Sequence, residues 1–307
     1  MNRVFLLTRY TDAINRRLYK ECNRQLFLDK LLFPLETAAL LLVKTGYYLN
    51  ERGQYTEAKP LFQTAFSLDQ RLLGEAHPDF ATSYNDLGSL YYSQGRYAEA
   101  EPLLQTALSL RQRLLGEAHP HVAQSYNNLG ELYRSQGRYA KAEPLLQKAL
   151  SLRQRLLGEE HPDVAQSYNN LALLYRSQGR YAKAEPLFQT ALSLNQRLLG
   201  EDHPHVAISY NNLAGLYYSQ GRYAKAEPLL QTALSLRQRL LGEDHPHVAI
   251  SYNDLAMLYS SQGRYSEAQP MYEKALEIAE LSLGVNHPNT ITIRKNLKFL
   301  RDNYNCE

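Results

Sequence analysis

The stretch SYNNLALLYRSQGRY runs from Ser167 to Tyr181, and near copies of it begin at Ser83, Ser125, Ser209 and Ser251. Consecutive copies are 42 residues apart, with no insertions. Residues 119–160 and 161–202 differ at seven of 42 aligned positions, so 35 are identical. A fixed period of this length indicates stacked structural repeats, and each residue is therefore interpreted by its place in the repeat.

Each copy predicts two helices. The first helix carries an apolar stripe at helical spacing, formed by Val122, Tyr126, Leu129, Gly130 and Tyr133. The second carries another, formed by Tyr139, Ala142, Leu146, Ala149 and Leu156. A His-Pro pair precedes the first helix, where proline suits the first turn and histidine is expected to help cap it. Gly137 is placed to end the first helix, and Gly158 to form a left-handed cap on the second.

The period divides the chain into three parts. Residues 34–284 are predicted to form six helix pairs, at 34–74, 75–116, 117–158, 159–200, 201–242 and 243–284. Residues 285–307 are predicted to form a capping helix and tail, because Lys295, Lys298 and Arg301 make this segment charged. Residues 1–33 hold seven Lys/Arg against three Asp/Glu and are predicted to form a basic helical cap or linker.

Composition favours a cytoplasmic protein without a membrane span. The longest apolar run, from Ala38 to Val43, is far shorter than the ~20 residues that a membrane helix needs. Outside residues 1–33 the chain holds 27 Lys/Arg and 28 Asp/Glu, so no nucleic-acid partner is expected. The two cysteines, Cys22 and Cys306, have no metal-ligand spacing.

No catalytic constellation stands apart from the repeat, so the chain is not expected to be an enzyme. The pairs His119/His121, His203/His205 and His245/His247 supply only two nitrogens each, whereas a metal site needs three or four ligands. The sequence therefore predicts neither a metal nor a cofactor.

The positions Tyr126, Leu129, Gly130, Tyr133, Ala142, Leu146 and Ala149 resemble the tetratricopeptide repeat (TPR) signature. The 42-residue period and the segments GRYAKAEPL and RLLGEDHPHVA look like the TPR domain of kinesin light chain and the TPR tails of bacterial NB-ARC proteins. This resemblance implies an all-α, right-handed superhelix (α-solenoid) whose inner wall is made of the first helices. No G-x-x-x-x-G-K-[ST] loop and no N-terminal heptad region occur, so neither a nucleotide switch nor motor-driven transport is implied.

In TPR proteins the inner groove is lined by fixed positions of the first helix. Carried over to this chain, one such position is the first Asn of each copy, which is Asn85, Asn127, Asn169, Asn211 or Asn253. We call these residues the ladder asparagines. A carboxamide has one acceptor and two donors and can bind a peptide backbone whatever the ligand sequence.

Residues one or two turns away are expected to set ligand preference. These are Gln124, Gln166, Arg134, Arg176, Leu173, Ile208, Ile250, Tyr92 and Tyr218. Arginine favours acidic ligand side chains, and Leu173, Ile208 and Ile250 favour apolar ones, as in the aromatic-plus-acidic peptides that kinesin light chains take. Two alternatives stay open: the asparagines are retained from recent duplication on an exposed face, and Arg134 and Arg176 serve a solvated face or an intrahelical pair.

The sequence therefore predicts a protein-interaction scaffold that binds an extended protein or peptide segment in the concave groove. An alternative is a ligand-free regulatory array whose repeats self-associate, as the resemblance to NB-ARC tails implies.

Overall fold

The computed structural model describes residues 35–73, 77–78 and 80–304, so the predicted N-terminal cap at 1–33 lies outside the described residues. Within these ranges the chain forms thirteen helices and no strand, which confirms the predicted all-α solenoid of paired helices. The helices are α1 Leu35–Glu51, α2 Tyr55–Leu73, α3 Phe80–Ser93, α4 Tyr97–Leu115, α5 Pro120–Ser135, α6 Tyr139–Leu157, α7 Pro162–Ser177, α8 Tyr181–Leu199, α9 Pro204–Ser219, α10 Tyr223–Leu241, α11 Pro246–Ser261, α12 Tyr265–Leu283 and α13 Pro288–Tyr304.

The chain consists of two compact units, which we call the N-terminal half, ending at Leu156, and the C-terminal half, beginning at Leu157. Odd-numbered helices are the first helices of the repeats (A-helices), and even-numbered helices are the second (B-helices). In the C-terminal half each helix from α7 to α13 packs on the next, and α7 also touches α9. In the N-terminal half α3 likewise contacts both α1 and α5.

Histidine caps set where the A-helices begin. Helices α5, α7, α9, α11 and α13 each start at the proline of a His-Pro pair. In each case the histidine Nδ1 accepts a hydrogen bond, 3.1 Å long, from the backbone N–H two residues further on. The acceptors are His119, His161, His203, His245 and His287. The prediction that histidine caps the following helix is confirmed at these five positions.

Glycine ends the B-helices, although not in the predicted left-handed helical conformation. Gly158 has a φ of 82°. Its equivalent Gly200 has φ 82° and ψ 159°, and its N–H donates to the Gln196 carbonyl. A ψ of this size lies outside the left-handed helical region, in a part of backbone space that is essentially restricted to glycine. The chain therefore leaves the helix in an extended direction towards the next His-Pro pair.

Small residues let the two helices of a repeat approach closely. A Cβ atom added to Gly130 would lie 2.6 Å from the Leu146 Cγ, which is closer than carbon atoms pack. Ala142 and Ala149, on the facing B-helix, are fully buried. The small residues of the repeat therefore lie where the A- and B-helices meet, as the sequence predicted.

A polar clasp joins α8 to the next repeat, and Glu101 on α4 makes the same contacts with Tyr133 and Arg138. In the C-terminal half the Glu185 carboxylate on α8 accepts from Tyr217 on α9 at 2.9 Å and from Arg222, before α10, at 2.8 Å. The Arg222 guanidinium also lies over the Tyr217 ring, 4.5 Å from its centroid. These hydrogen bonds lower the pKa of Glu185, with Arg222 the main cause. The Arg and the Tyr that the sequence repeats therefore serve the contact between successive repeats.

Buried cations also link the repeats. Arg237, on α10, is 7% exposed and donates to the Ser251 hydroxyl on α11 at 2.7 Å. Arg111, which is 1% exposed, makes the same bond to Ser125 at 2.9 Å in the N-terminal half. Burial lowers the pKa of both arginines. Ser125 and Ser251 therefore each satisfy a buried donor of the preceding repeat.

Helix α13 is the last helix that the structure describes, and it has the pattern of an A-helix. Ile293, Leu297 and Leu300 are buried, and α13 packs on α12. Lys298 stands at the repeat position of Gly130, where the other A-helices meet their own B-helix, and it is exposed. A charged side chain at this position keeps water in contact with the last helix, as a solvating cap requires.

We expect Ser251→Ala to lower the free energy of unfolding by about 1–3 kcal/mol, because the buried Arg237 Nη1 then keeps only a 3.4 Å contact with the His247 carbonyl. Urea denaturation followed by circular dichroism measures this loss. The control is Ser177→Ala, since the exposed Ser177 hydroxyl bonds only within its own helix, to the Leu173 carbonyl; its effect should stay within about 0.5 kcal/mol. Equal effects of the two substitutions would contradict the assignment.

We expect the His203 cap to make stability depend on pH. Burial, and secondarily the nearby His205, lowers the pKa of His203 below its usual value. Stabilisation by the neutral acceptor is therefore complete above about pH 6.5 and is lost as the pH falls through the lowered pKa. Asparagine caps without titrating, so His203→Asn should lose less stability than the wild type between pH 7.5 and 5.5, by on the order of 0.5–1 kcal/mol. Urea midpoints at the two pH values test this, and an unchanged pH dependence would contradict it.

Candidate functional site

The ladder asparagines lie in the middle of the A-helices and are less exposed than residues on a free helix face. Asn85 and Asn127 are 5% exposed and Asn253 is 9% exposed, whereas Asn169 and Asn211 are half-buried. The alternative that the asparagines lie on an exposed helix face is therefore wrong for Asn85, Asn127 and Asn253. Burying a carboxamide requires hydrogen-bond partners, which the neighbouring repeat supplies.

The partner is the second Asn of the following copy. Asn128 donates from Nδ2 to the Asn85 Oδ1 at 2.7 Å. The same bond joins Asn212 to Asn169 at 2.8 Å, and Asn296 to Asn253 at 3.0 Å. We call the position of Asn128, Asn212 and Asn296 the partner position. Our sequence reasoning missed this role, although the Asn-Asn pair in the repeat was its visible signal.

These bonds decide which atoms of the ladder asparagines are available to a ligand. The Oδ1 atoms of Asn85, Asn169 and Asn253 are occupied by the next repeat. Their Nδ2 atoms make long contacts, at 3.4 Å to Asp86, 3.3 Å to Asn170 and 3.5 Å to the Met257 sulfur. The Asn253 amide also faces the Asp254 carboxyl group. These three asparagines therefore offer mainly N–H donors, which suit carbonyl groups of a ligand backbone.

Asn211 is arranged differently. Its partner position holds Asp254 instead of an asparagine. The Asn211 Oδ1 is buried and has no hydrogen-bond partner. Burial raises the pKa of Asp254, while the amides of Asn211 and Asn253 and the charge of Arg237 oppose that rise.

Apolar side chains flank the ladder asparagines of the C-terminal half. Ile208 is 38% exposed, Met257 36% and Phe299 62%, while Leu173 and Ile250 are half-buried. Met257 and Phe299 stand at the same repeat position as Leu173, one turn after the ladder position, and our sequence reasoning did not select them. We call these five residues the apolar ladder face.

The predicted cations and tyrosines have partners within the protein. Arg134 pairs with Glu131 in its own helix at 2.9 Å, as one of the alternatives held. The Arg176 guanidinium lies so close to α9 that a Cβ on Gly215 would be 2.6 Å from its Nη1. The hydroxyl of Tyr92 lies 2.9 Å from that of Ser135, and the equivalent Tyr218–Ser261 distance is 2.7 Å. Gln124 and Gln166 are exposed.

The histidine pairs stand at the starts of the A-helices, away from the ladder position. The rings of His203 and His205 are 5.0 Å apart, and His203 uses Nδ1 for its cap. Among the described residues no three His, Cys, Asp or Glu side chains come together as metal ligands would. Nor does any helix in those ranges have the length and apolar character needed to cross a membrane.

A family model described as the tetratricopeptide repeat matches this chain six times. The matches cover 36–113, 79–155, 121–194, 163–234, 205–280 and 256–300. A search of curated proteins found no match.

Solved structures with the same fold include repeats of the kinesin light chain type. BtubC (BKLC) from P. vanneervenii is 26% identical, with a TM-score of 0.57 over 80% of this chain and 92% of that chain. A putative kinesin light chain from Podosopora anserina, with nearly identical TPR-like repeats, is 27% identical, with a TM-score of 0.54 over 66% and 97%. The predicted kinesin-light-chain type of repeat is therefore confirmed.

A more distant structure shares the fold alone. The Rap protein complexed with Competence and Sporulation Factor is 17% identical, with a TM-score of 0.58 over 87% of this chain and 88% of that chain. TPR proteins thus occur in complexes with protein or peptide partners.

We expect the bond between Asn212 and Asn169 to appear as a coupling free energy. In a double-mutant cycle, Asn169→Ala and Asn212→Ala should together cost less than the sum of the single losses, by about 0.5–1.5 kcal/mol. Urea denaturation of the four proteins gives this value. Asn169→Ala combined with Asn296→Ala is the control, because the Asn296 bond goes to Asn253, and its effects should add within about 0.5 kcal/mol. Additivity of both pairs would contradict the bond.

Proposed function

Because the chain belongs to the tetratricopeptide repeat family, whose repeats generally mediate protein–protein interaction, we propose that it is a scaffold binding an extended peptide segment along its A-helices. The ladder asparagines bind the ligand backbone, and the residues around them select its side chains. TPR scaffold families are generally non-enzymatic, which agrees with this role.

The observation that carries the proposal is the apolar ladder face of the C-terminal half. Ile208, Met257 and Phe299 are all more than a third exposed. The Met257 sulfur lies 3.5 Å from the Asn253 Nδ2, and Ile208 is one turn before Asn211 in α9. Peptide-binding sites usually combine exposed apolar side chains with polar donors. The apolar side chains bind ligand side chains, and the donors orient the ligand backbone.

Charge at the two ends of this face favours an acidic ligand. Helix α9 carries no Lys, Arg, Asp or Glu, and the only such residue of α11 is the half-buried Asp254. Arg176 on α7 and the exposed Lys295 on α13, which stands at the ladder position, supply positive charge on either side. The ligand therefore has apolar side chains at its centre and acidic residues towards its ends.

Geometry limits the length of the contact. Packed helices lie about 8–10 Å apart, and an extended peptide rises about 3.1–3.3 Å per residue. Each repeat then meets about every third ligand residue, and the four A-helices of the C-terminal half contact roughly ten residues.

We expect Ile208→Asp to abolish binding of peptides selected by the wild type from an array of randomised dodecapeptides. A carboxylate in the apolar ladder face removes a hydrophobic contact and repels acidic ligands, so affinity should fall at least about tenfold. Fluorescence polarisation with the selected peptides measures this change. The melting temperature should stay within about 2 °C of the wild type, because Ile208 is exposed.

The matched control is Leu281→Asp, which changes an even more exposed side chain on the B-helix α12. It should leave peptide affinity unchanged. Equal losses for the two variants, or no selected peptides at all, would contradict the proposed function. In the latter case a concentration-dependent mass in light scattering would favour the self-associating array.

A further inference from the structure

Gly215 is a glycine inside a helix at a position where helix packing does not explain it. It lies within α9, one turn after the ladder asparagine Asn211. Glycine is among the poorest helix formers. Gly130 also lies inside an A-helix, but there a Cβ atom would strike Leu146 of the facing B-helix. Gly215 has a different repeat position, so the close approach of the two helices does not account for it.

The side chain of Arg176 accounts for this glycine. A Cβ atom added to Gly215 would lie 2.6 Å from the Arg176 Nη1, 3.3 Å from its Cζ and 3.6 Å from its Nη2. The three nearest atoms outside the surrounding turns of α9 thus all belong to one guanidinium. A contact of 2.6 Å is closer than non-bonded carbon and nitrogen atoms pack, so a side chain here would displace that group. Arg176 belongs to α7, and its side chain therefore reaches across to the next A-helix.

The guanidinium stands in the ladder face itself. Gly215 has the repeat position of Leu173 on α7 and Met257 on α11, whose side chains belong to the apolar ladder face. The Cβ direction at Gly215 is the direction in which such side chains leave the helix, and the guanidinium occupies it. Arg176 and Gly215 are both half-buried, so neither residue is closed off from solvent. Helix α9 thus presents a cation although its own sequence contains none.

The equivalent arginine of another copy is used differently. Arg134 on α5 pairs with Glu131, three residues earlier in the same helix, at 2.9 Å. Arg176 has Leu173 at that place, which carries no charge. Its own charge acts on the Asp254 carboxyl group of α11. Because an arginine has five N–H donors, a ligand carboxylate can bind beside the contacts that Arg176 makes within the protein.

We propose that Gly215 is a positioning residue, which lets the Arg176 guanidinium stand in the ladder face and bind a carboxylate side chain of the ligand. The planar fork of a guanidinium matches the two oxygens of a carboxylate. The Asp or Glu of the ligand then meets α9, between the ligand residues that contact Leu173 and Met257. The assignment rests on the proposed function for the identity of the ladder face as the peptide site, and it adds the register of one acidic residue.

This arrangement selects a carboxylate over an uncharged amide. A bound ligand covers the half-buried guanidinium and removes water from it. Covering a charge without pairing it is costly, whereas a carboxylate pairs it with charge-assisted hydrogen bonds. The apolar side chains of Leu173 and Met257 on either side offer the ligand no competing charge. A peptide with Asn or Gln in place of the acid therefore binds more weakly.

The test compares each acid of the ligand with its amide. The probes are the tightest dodecapeptides that the wild type selects from a randomised array, amidated at the C-terminus so that only side chains supply carboxylates. Each Asp or Glu is changed in turn to Asn or Gln, and affinity is measured by fluorescence polarisation. For the wild type we expect one such change to lower affinity at least about fivefold. Arg176→Gln and Gly215→Leu should each reduce this ratio to within about twofold.

Gly215→Leu separates positioning from a purely structural role. It gives α9 the residue that α7 carries at the same repeat position, and leucine forms helices better than glycine. We therefore expect this variant to melt at or above the wild-type temperature while it loses the preference for the acid. A purely structural glycine predicts the reverse, a lower melting temperature with the preference kept. Gly215→Ala makes the same change on a smaller scale and provides the measurement if the leucine variant does not fold.

Two further variants control for charge. Arg197→Gln removes a cation from the B-helix α8, where the exposed Arg197 pairs with Glu160 at 3.1 Å. It should keep the wild-type ratio between acid and amide. Arg176→Gln combined with Gly215→Arg places a guanidinium on α9 directly, and it should restore the preference at the same ligand residue.

The outcomes separate the two proposals. A preference for the acid that survives Gly215→Leu, or that is lost equally in Arg197→Gln, would overturn the role of Gly215 and leave peptide binding intact. Selected peptides in which no acid affects affinity would do the same. An array without any binder would instead overturn the proposed function, and the carboxylate site with it.

Discussion

Polar contacts between one repeat and the next hold the side chains of this protein in place. The buried Arg237 is satisfied by Ser251 of the following repeat, and Glu185 by Tyr217 and Arg222. Neither group has these partners within its own helix pair. Burying a charge without partners is costly, so each helix pair is stable only beside a neighbour that carries the matching residues. Repetition of the sequence is therefore a chemical requirement, because residues of one copy supply hydrogen-bond partners to polar groups of the copy before it.

The sequence predicted what lies within one repeat better than what joins two. Helices, histidine caps and small residues such as Gly130 follow from spacings of a few residues, which amphipathic periodicity and capping preferences describe well. The contacts between repeats were not predicted, because the residues that make them are distant in the chain. Six of them have the same spacing of 43 residues: Asn50–Ser93, Asn85–Asn128, Tyr92–Ser135, Asn169–Asn212, Tyr218–Ser261 and Asn253–Asn296. Residues one period plus one apart are therefore the places to look for such partners in similar repeats.

The candidate site stays a prediction, and the structure constrains its chemistry more than the sequence did. The sequence led us to expect that the whole carboxamide of Asn169 binds the ligand. Its Oδ1, however, already accepts a hydrogen bond from Asn212. Sequence alone carries no information on which end of an amide is occupied, because donor and acceptor are equally present in the residue type. The partner position supplies that information, since an Asn there donates to the ladder oxygen, as Asn212 does to Asn169. The ladder asparagine thus serves both the contact between repeats and the proposed ligand site. The residue that orients its carboxamide lies 43 positions further along the chain.

Differences among nearly identical copies carry more information on function than their shared residues. Residues 119–160 and 161–202 agree at 35 of 42 positions, and the contacts between repeats account for many of those identities. The A-helix position one turn after the ladder asparagine is Glu131, Leu173, Gly215, Met257 or Phe299 in successive copies. These side chains differ in size, polarity and charge, although the helices that carry them pack alike. Packing accounts for two of them, since Gly215 leaves room for the Arg176 guanidinium and Glu131 pairs with Arg134. Met257 and Phe299 are 36% and 62% exposed, and folding gains little from apolar side chains that stay in water. Variation at these two residues therefore argues for contacts that each copy makes separately, on a framework that the invariant positions hold fixed.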